Sequence, residues 1–136
     1  MTRVLFVDDE PLLLRGLKAM VRRDQRIVGV FADGVSSALA AWESAPFDVV
    51  VTDMRMPGLS GLDLLETLLA RAATAKRILL TGYADAAMLE KAQRLCDHVL
   101  SKPCPWSEIV AAIDPQPIPS VDSNASNPSN ARENER

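Results

Sequence analysis

The amino-acid sequence predicts an α/β fold in which a five-stranded parallel sheet lies between two layers of helices. Short runs rich in β-branched residues alternate with stretches of helical periodicity as far as residue 114. Three of these runs are continuously apolar rather than alternating, which indicates strands that are buried on both faces. Five strands, each followed by a helix after a short connection, favour right-handed crossovers and a three-layer sandwich.

The predicted strands are short, and each precedes a stretch of helical character. They lie at residues 4–7, 27–31, 49–52, 77–80 and 98–100. The first helix begins near Pro11, a residue that suits the first helical position, and Asp9 or Glu10 is a candidate cap before it.

Apolar residues at helical spacing predict the faces that the helices turn towards the core. In the first helix these residues are Leu13, Leu17, Met20 and Val21, at positions i, i+4, i+7 and i+8. Similar stripes predict helices after the second, third and fifth strands. The fourth helix, at about residues 85–95, is the least distinct because its apolar residues are small and scattered.

Composition indicates one domain and a tail. The chain has 136 residues, 48% of them hydrophobic and 24% charged, which suits a single globular domain. We expect this domain to occupy residues 1–114. Residues 115–136 are rich in Pro, Ser and Asn and hold few apolar side chains, so we expect a disordered tail or linker.

Charge and residue counts argue against several classes of protein. A net charge of −3 offers no positive field for direct nucleic-acid binding, and no apolar run approaches the roughly 20 residues of a membrane span. Without an apolar secretion signal, we expect a cytoplasmic protein. His98 is the only histidine, which excludes Ser-His-Asp and Cys-His catalysis within one chain, and we expect Cys96 and Cys104 to be buried or half-buried thiols.

Polar residues follow four of the predicted strands. Asp8 and Asp9 follow the first strand, Asp53 follows the third, Thr81 the fourth and Lys102 the fifth. In a parallel sheet these strand ends share one edge, where ligands bind. Each residue alone has an ordinary structural explanation, but clustered carboxylates repel one another unless a cation lies among them.

Oxygen ligands of this kind suit Mg²⁺, which binds one or two carboxylates together with phosphate oxygens. A carboxylate beside such an ion can attack a phosphoryl group and form an aspartyl phosphate. The ion, Lys102 and Thr81 would then share the charge on the transferring oxygens. Gly82 would leave room for the phosphoryl group to approach the backbone there.

These residues resemble the signature of the response-regulator receiver domain of two-component signalling. The match consists of Asp8-Asp9, Asp53 followed by Met56-Pro57-Gly58, Thr81-Gly82 and Lys102-Pro103, in the order found in that family, and it covers residues 3–113. The resemblance implies the flavodoxin-like (βα)5 sandwich of chemotaxis receivers, with strand order 2-1-3-4-5.

The resemblance also implies a role for each site residue. Asp53 would be the phosphoacceptor, and Thr81 and Lys102 would contact the phosphoryl group. Asp8 and Asp9, with Asp53 and the backbone carbonyl of Arg55, would hold Mg²⁺.

Two further features of the family concern the segment around the lysine. The Lys102-Pro103 bond would be cis. Leu100 stands where the family carries a switching aromatic residue, so we hypothesise that Tyr83 or Trp106 substitutes for it.

The implied function is a signalling receiver. It would take a phosphoryl group from a sensor histidine kinase or a histidine phosphotransfer protein and switch a surface that contacts a downstream effector protein or effector domain. It would not be an enzyme beyond catalysing its own phosphorylation and dephosphorylation, and homodimerisation is left open.

Two alternatives have other chemistry. One is a small Mg²⁺-dependent phosphatase that acts through an aspartyl phosphate. That class resembles the haloacid dehalogenases, whose nucleophile lies in an Asp-x-Asp run on the first strand, and Asp8-Asp9-Glu10 is not such a run. The other is a receiver-like interaction module that never takes phosphate.

Overall fold

A computed structural model describes residues 1–71, 74–82 and 85–117. Strands and helices alternate through these residues. The strands are β1 (Thr2–Val7), β2 (Ile27–Ala32), β3 (Val49–Asp53), β4 (Lys76–Thr81) and β5 (His98–Ser101). The helices are α1 (Pro11–Arg22), α2 (Val35–Ser44), α3 (Gly61–Ala70), α4 (Ala86–Leu95) and α5 (Trp106–Ile113).

The strands form one parallel sheet in the order β2-β1-β3-β4-β5, as the resemblance implies. The central strand β3 pairs with β1 from Val4 opposite Val49 and with β4 from Val49 opposite Lys76. All five residues of β3 are buried, which agrees with the continuous apolar run that predicted it. The predicted α/β sandwich is therefore confirmed.

Each face of the sheet carries its own hydrophobic cluster. One cluster packs helices α2, α3 and α4 on the sheet through residues such as Ala38, Leu65 and Ala92. The other packs α1 and α5 through Val21 and Ile109. The two helical layers leave the carboxyl edge of the sheet free for the site.

The predicted core face of α1 is wrong by one residue in its first turn. Leu14 is buried, whereas Leu13 is 40% exposed and Met20 is 36% exposed. Val21 is buried, as predicted, and Leu17 is partly buried. Three successive leucines allow several stripes on the same helix, and the packing of the folded chain buries only Leu14 among them.

Helix starts combine predicted and unpredicted caps. Pro11 occupies the first position of α1, as predicted, but the side chain of Glu10 at the N-cap makes no capping hydrogen bond. Asp8 serves this turn instead, because its Oδ1 accepts a hydrogen bond of 2.9 Å from the backbone N–H of Glu10. Helix α4 is capped by Asp85, which accepts from the N–H of Met88.

The described chain ends shortly after α5. The backbone N–H of Gln116 donates to Oγ1 of Thr2 at 2.8 Å, which holds the segment against the start of β1. The tail predicted over residues 115–136 lies outside the described residues from residue 118 onward. Within the described part of the chain, no helix has the length and apolar character that a membrane crossing requires.

Candidate functional site

The carboxyl edge of the sheet brings together the side chains that the sequence predicted for the site. Asp53 is the last residue of β3 and Thr81 the last of β4. Asp8 follows β1 directly, and Lys102 follows β5. Because Asp53 pairs with Leu80 in the sheet register, Thr81 lies one residue further along the neighbouring strand.

Three carboxylates form a compact acidic cluster at this edge. Each of Asp8, Asp9 and Asp53 offers an oxygen, and these oxygens lie within 4.8 Å of one another. Asp8 is 3% exposed and Asp53 is 7% exposed, whereas Asp9 is half-buried. Hard oxygen donors brought this close fit a hard divalent ion such as Mg²⁺, which would offset their mutual repulsion.

Lys102 bridges two of these carboxylates. Its Nζ lies 3.0 Å from Oδ1 of Asp53 and 3.5 Å from Oδ2 of Asp8. The ammonium therefore approaches Asp53 from the β5 side of the sheet. The Lys102-Pro103 peptide that follows is cis, as the resemblance implies.

Burial and the charges of the cluster together shift two pKa values. Burial raises the pKa of the Asp53 carboxyl, and the negative charges of Asp8 and Asp9 raise it further. The hydrogen bond and the charge of Lys102 lower this pKa. The net result is a pKa above the usual range for aspartate. Burial alone would lower the pKa of Lys102, but the hydrogen bond to Asp53 and the two carboxylate charges outweigh it, and the pKa is raised. Lys102 is therefore a firmly protonated cation.

Thr81 and Gly82 line the β4 side of the site. Thr81 is buried, and its hydroxyl donates to Sδ of Met54 at 3.8 Å. A β-carbon added to Gly82 would lie 3.9 Å from Cβ of Lys102, an ordinary contact. Packing within the protein therefore does not require glycine at position 82. The room predicted from the sequence at Gly82 would serve an incoming phosphoryl group instead.

A cavity of about 640 Å³ opens onto these residues. It is lined by Glu10, Asp53, Met54, Arg55, Gly82 and Lys102. The side chain of Arg55 is exposed beyond the end of β3. Asp53 lines this cavity, so a small charged group can reach its carboxylate there.

Some sequence-based expectations concern residues around the site. Both cysteines are free and half-buried, as predicted. Leu100 and Trp106 are both partly buried and pack against the same hydrophobic cluster, on the α1–α5 side of the sheet. Tyr83, the other suggested substitute for the switching aromatic, lies outside the described residues.

Sequence reasoning missed Gly61. This first residue of α3 is buried, and its N–H donates to the carbonyl of Met54 at 2.8 Å. Glycine is a poor helix former, so a glycine in a first helical turn signals that the helix backbone passes close to another part of the protein.

Comparison with known proteins identifies the family. A family model described as the response regulator receiver domain matches residues 4–114. The chain belongs to this family. Receiver domains are signalling modules, and the described acidic pocket lies where such domains typically bind Mg²⁺.

Several curated proteins contain a similar receiver domain. A nitrate/nitrite response regulator homolog of Haemophilus influenzae is 38% identical over 81 residues, which are 58% of this chain and 38% of that protein. The transcriptional activator PfeR of Pseudomonas aeruginosa is 37% identical over 112 residues, 82% of this chain and 36% of that protein. The virulence sensor BvgS of Bordetella pertussis is 37% identical over 110 residues, 74% of this chain.

The chain spans only part of these relatives, from 9% of BvgS to 38% of the Haemophilus protein. Solved receiver domains match it over most of their length. A receiver domain from Clostridium thermocellum has a TM-score of 0.76 at 27% identity and covers 84% of this chain and 92% of that one. The receiver of an HD domain-containing protein from Pseudomonas fluorescens has a TM-score of 0.77 at 27% identity, covering 83% and 91%.

Proposed function

We propose that this receiver domain, residues 1–114, accepts a phosphoryl group on Asp53 from a histidine kinase or a histidine phosphotransfer protein. The observation that carries the proposal is the position of the Asp53 carboxylate. It is 7% exposed, lies in a cluster of three acids and receives the Lys102 ammonium at 3.0 Å. This arrangement prepares one carboxylate for a charged electrophile.

The transfer step forms one bond and breaks one. An oxygen of Asp53 attacks the phosphorus of the donor, and the bond from phosphorus to the imidazole nitrogen breaks. The electron pair of that bond stays on the imidazole, and the product is an acyl phosphate on Asp53. With acetyl phosphate as donor, acetate leaves in place of imidazole.

The residues around Asp53 have separate tasks in this step. Lys102 stays protonated and neutralises charge on the transferring oxygens, and Thr81 offers a hydroxyl from β4. Asp8, Asp9 and Asp53, with the Arg55 carbonyl, would hold Mg²⁺. When bound, Mg²⁺ supplies positive charge that offsets the repulsion between the carboxylates and the phosphoryl oxygens.

The signal would leave the domain through its surface. Phosphorylation at Asp53 adds negative charge next to Lys102 and Thr81, and these residues connect to the ends of β5 and β4. A change at these strand ends would alter the face that a downstream effector protein or effector domain contacts. Self-association through such a face is a further way to pass the signal on.

Intact-mass measurement tests the proposal. We expect the protein to gain the mass of one phosphoryl group after incubation with acetyl phosphate and Mg²⁺, and the Asp53→Asn variant to gain none. Asp33→Asn is the matched control, because Asp33 also follows a strand at this edge but is exposed and lies beyond β2. That variant should gain mass like the wild type.

Two results would contradict the proposal. No mass gain in the wild type with any donor would favour an interaction module that never takes phosphate. Turnover of a generic phosphate ester that is lost in Asp8→Asn but kept in Asp53→Asn would favour the phosphatase alternative.

A further inference from the structure

The junction between β3 and α3 holds the backbone on either side of the Asp53–Met54 peptide. The Thr52 hydroxyl, which is fully buried, donates to the carbonyl of Asp53 at 3.0 Å. The N–H of Met54 donates to the carbonyl of Leu80 at 3.0 Å. The N–H of Gly61 donates to the carbonyl of Met54 at 2.8 Å. Two successive peptide groups after Asp53 are thereby fixed.

Gly61 approaches this backbone more closely than any other residue type allows. A β-carbon added to Gly61 would overlap the backbone oxygen of Asp53. It would also lie 3.0 Å from the carbonyl carbon of Asp53 and 3.1 Å from Oγ1 of Thr52. Because the obstructing atoms are backbone or fully buried, a larger residue here must push β3 and α3 apart.

Helix α3 has little freedom to move away. Its start is fixed by a capping box in which Ser60 and Asp63 exchange side-chain and backbone hydrogen bonds. Leu64, Leu65 and Leu68 of α3 are at most 1% exposed in the core. The strain of a larger residue at position 61 would therefore fall on the end of β3.

We propose that Gly61 and Thr52 are positioning residues for phosphoryl acceptance. Neither touches the reacting atoms. Together they fix the Asp53 backbone so that its carboxylate meets the Lys102 ammonium, and they fix the peptide that precedes Arg55. The inference rests on the proposed function of Asp53 and adds to it the parts of the fold that aim this side chain.

The proposed effect comes from alignment. Transfer to a carboxylate requires its oxygen, the phosphorus and the leaving group to lie roughly in line, and a misplacement of about 1 Å can slow an enzymatic step about 100-fold. A methyl group at position 61 would collide with the backbone oxygen of Asp53 and so displace Asp53. Loss of the Thr52 hydroxyl removes the hydrogen bond that orients the same oxygen.

The first test compares two glycine substitutions with acetyl phosphate as donor. Gly61→Ala should slow phosphorylation at least about tenfold, by the same alignment argument. Gly16→Ala is the control, because a β-carbon on Gly16, in α1, meets no atom within 4 Å. It should phosphorylate within about twofold of the wild type, since a small donor needs no contact with α1. Wild-type phosphorylation of Gly61→Ala would overturn the proposal.

The second test uses Thr52, in case Gly61→Ala does not fold. Thr52→Val keeps the shape of the side chain and should slow phosphorylation, and Thr52→Ser, which restores the hydroxyl, should recover most of the wild-type rate. Melting temperatures are measured alongside. One outcome is that Thr52→Val melts at a lower temperature and is still phosphorylated at the wild-type rate when assayed well below its melting transition. That result would show a purely structural role and overturn the proposal.

A third measurement separates this inference from the proposed function. The ¹³C resonance of the Asp53 carboxyl, recorded without donor or metal, should shift in Thr52→Val and Gly61→Ala but not in Gly16→Ala. Absence of phosphorylation in the wild type would refute the proposed function, whereas an unmoved resonance in both variants would refute the positioning role.

Discussion

At the scale of single residues, Asp53 lies under opposing influences. Burial and the charges of Asp8 and Asp9 raise the pKa of its carboxyl, and the Lys102 ammonium lowers it. The net direction is upward, so the carboxyl holds its proton to higher pH than an exposed aspartate does. Burial, the neighbouring acids and the lysine therefore together set the pKa of the Asp53 carboxyl.

Two substitutions should move this pKa in opposite directions. Lys102→Met removes the charge that favours the ionised form, so the pKa of Asp53 should rise further. Asp8→Asn removes a repelling charge, so the pKa should fall. The ¹³C shift of the Asp53 carboxyl, followed against pH in the presence of a chelator, measures both. Shifts of the same sign in the two variants would contradict the described cluster.

Most site residues could be predicted from the sequence, and Gly61 could not. Asp53, Thr81 and Lys102 come directly at or after strand ends, and parallel pairing takes such residues to one edge. The contact of Gly61 with Asp53 depends on the path of residues 54–60, which no periodicity describes. Its physical cause is a distance between two backbones, and a sequence does not contain that distance.

At the scale of elements, β4 holds the ends of two helices. Nζ of Lys76 donates to the carbonyls of Ala112 and Ile113 at 3.0 Å each, at the end of α5. Nε of Arg77 donates to the carbonyl of Leu95 at 2.6 Å, at the end of α4. Successive residues of a strand point to opposite faces, so each cation serves one layer of the sandwich.

Removing the Lys76 clamp should destabilise the domain. Lys76→Met keeps most of the aliphatic chain but leaves two carbonyls of α5 without their charged donor. Hydrogen bonds to charged groups are worth about 1.5–3 kcal/mol, so we expect a loss near the lower value for this half-buried lysine. Urea denaturation measures the change in the free energy of unfolding.

Lys91→Met is the control for that experiment. Lys91 pairs with Glu66 at 3.1 Å between α4 and α3, but the two side chains are 43% and 46% exposed. Such a surface pair contributes about 0–1 kcal/mol. An equal loss of stability in the two variants would contradict a special role for Lys76.

Strands and helix faces could be predicted where the sequence fits one hydrophobic pattern, and could not where it fits several. The apolar run of β3 fits only a buried strand, and the predicted residues 49–52 agree with the observed strand Val49–Asp53 to within one residue. Helix α1 carries three successive leucines in its first turn, Leu12, Leu13 and Leu14, of which packing buries only Leu14. The choice is made by the packing of the folded chain, so the helix alone does not determine it.

At the scale of the whole molecule, the fold brings residues that are distant in the sequence together at the site. Lys102 and Asp8 are separated by 94 positions in the chain and meet at 3.5 Å. Alternation of strands and helices predicts the layers, but strand order depends on pairings between distant segments. That order followed from resemblance to a family, and the structure confirms it.

The central claim is that the phosphoryl group resides on Asp53, and chemical trapping tests it most directly. Borohydride reduces an acyl phosphate to an alcohol, which would convert a phosphorylated aspartate into homoserine. After treatment with acetyl phosphate, Mg²⁺ and borohydride, peptide mapping should find homoserine at position 53 and intact aspartate at positions 8 and 9. Homoserine at position 8 or 9, or at none of the three, would contradict the account.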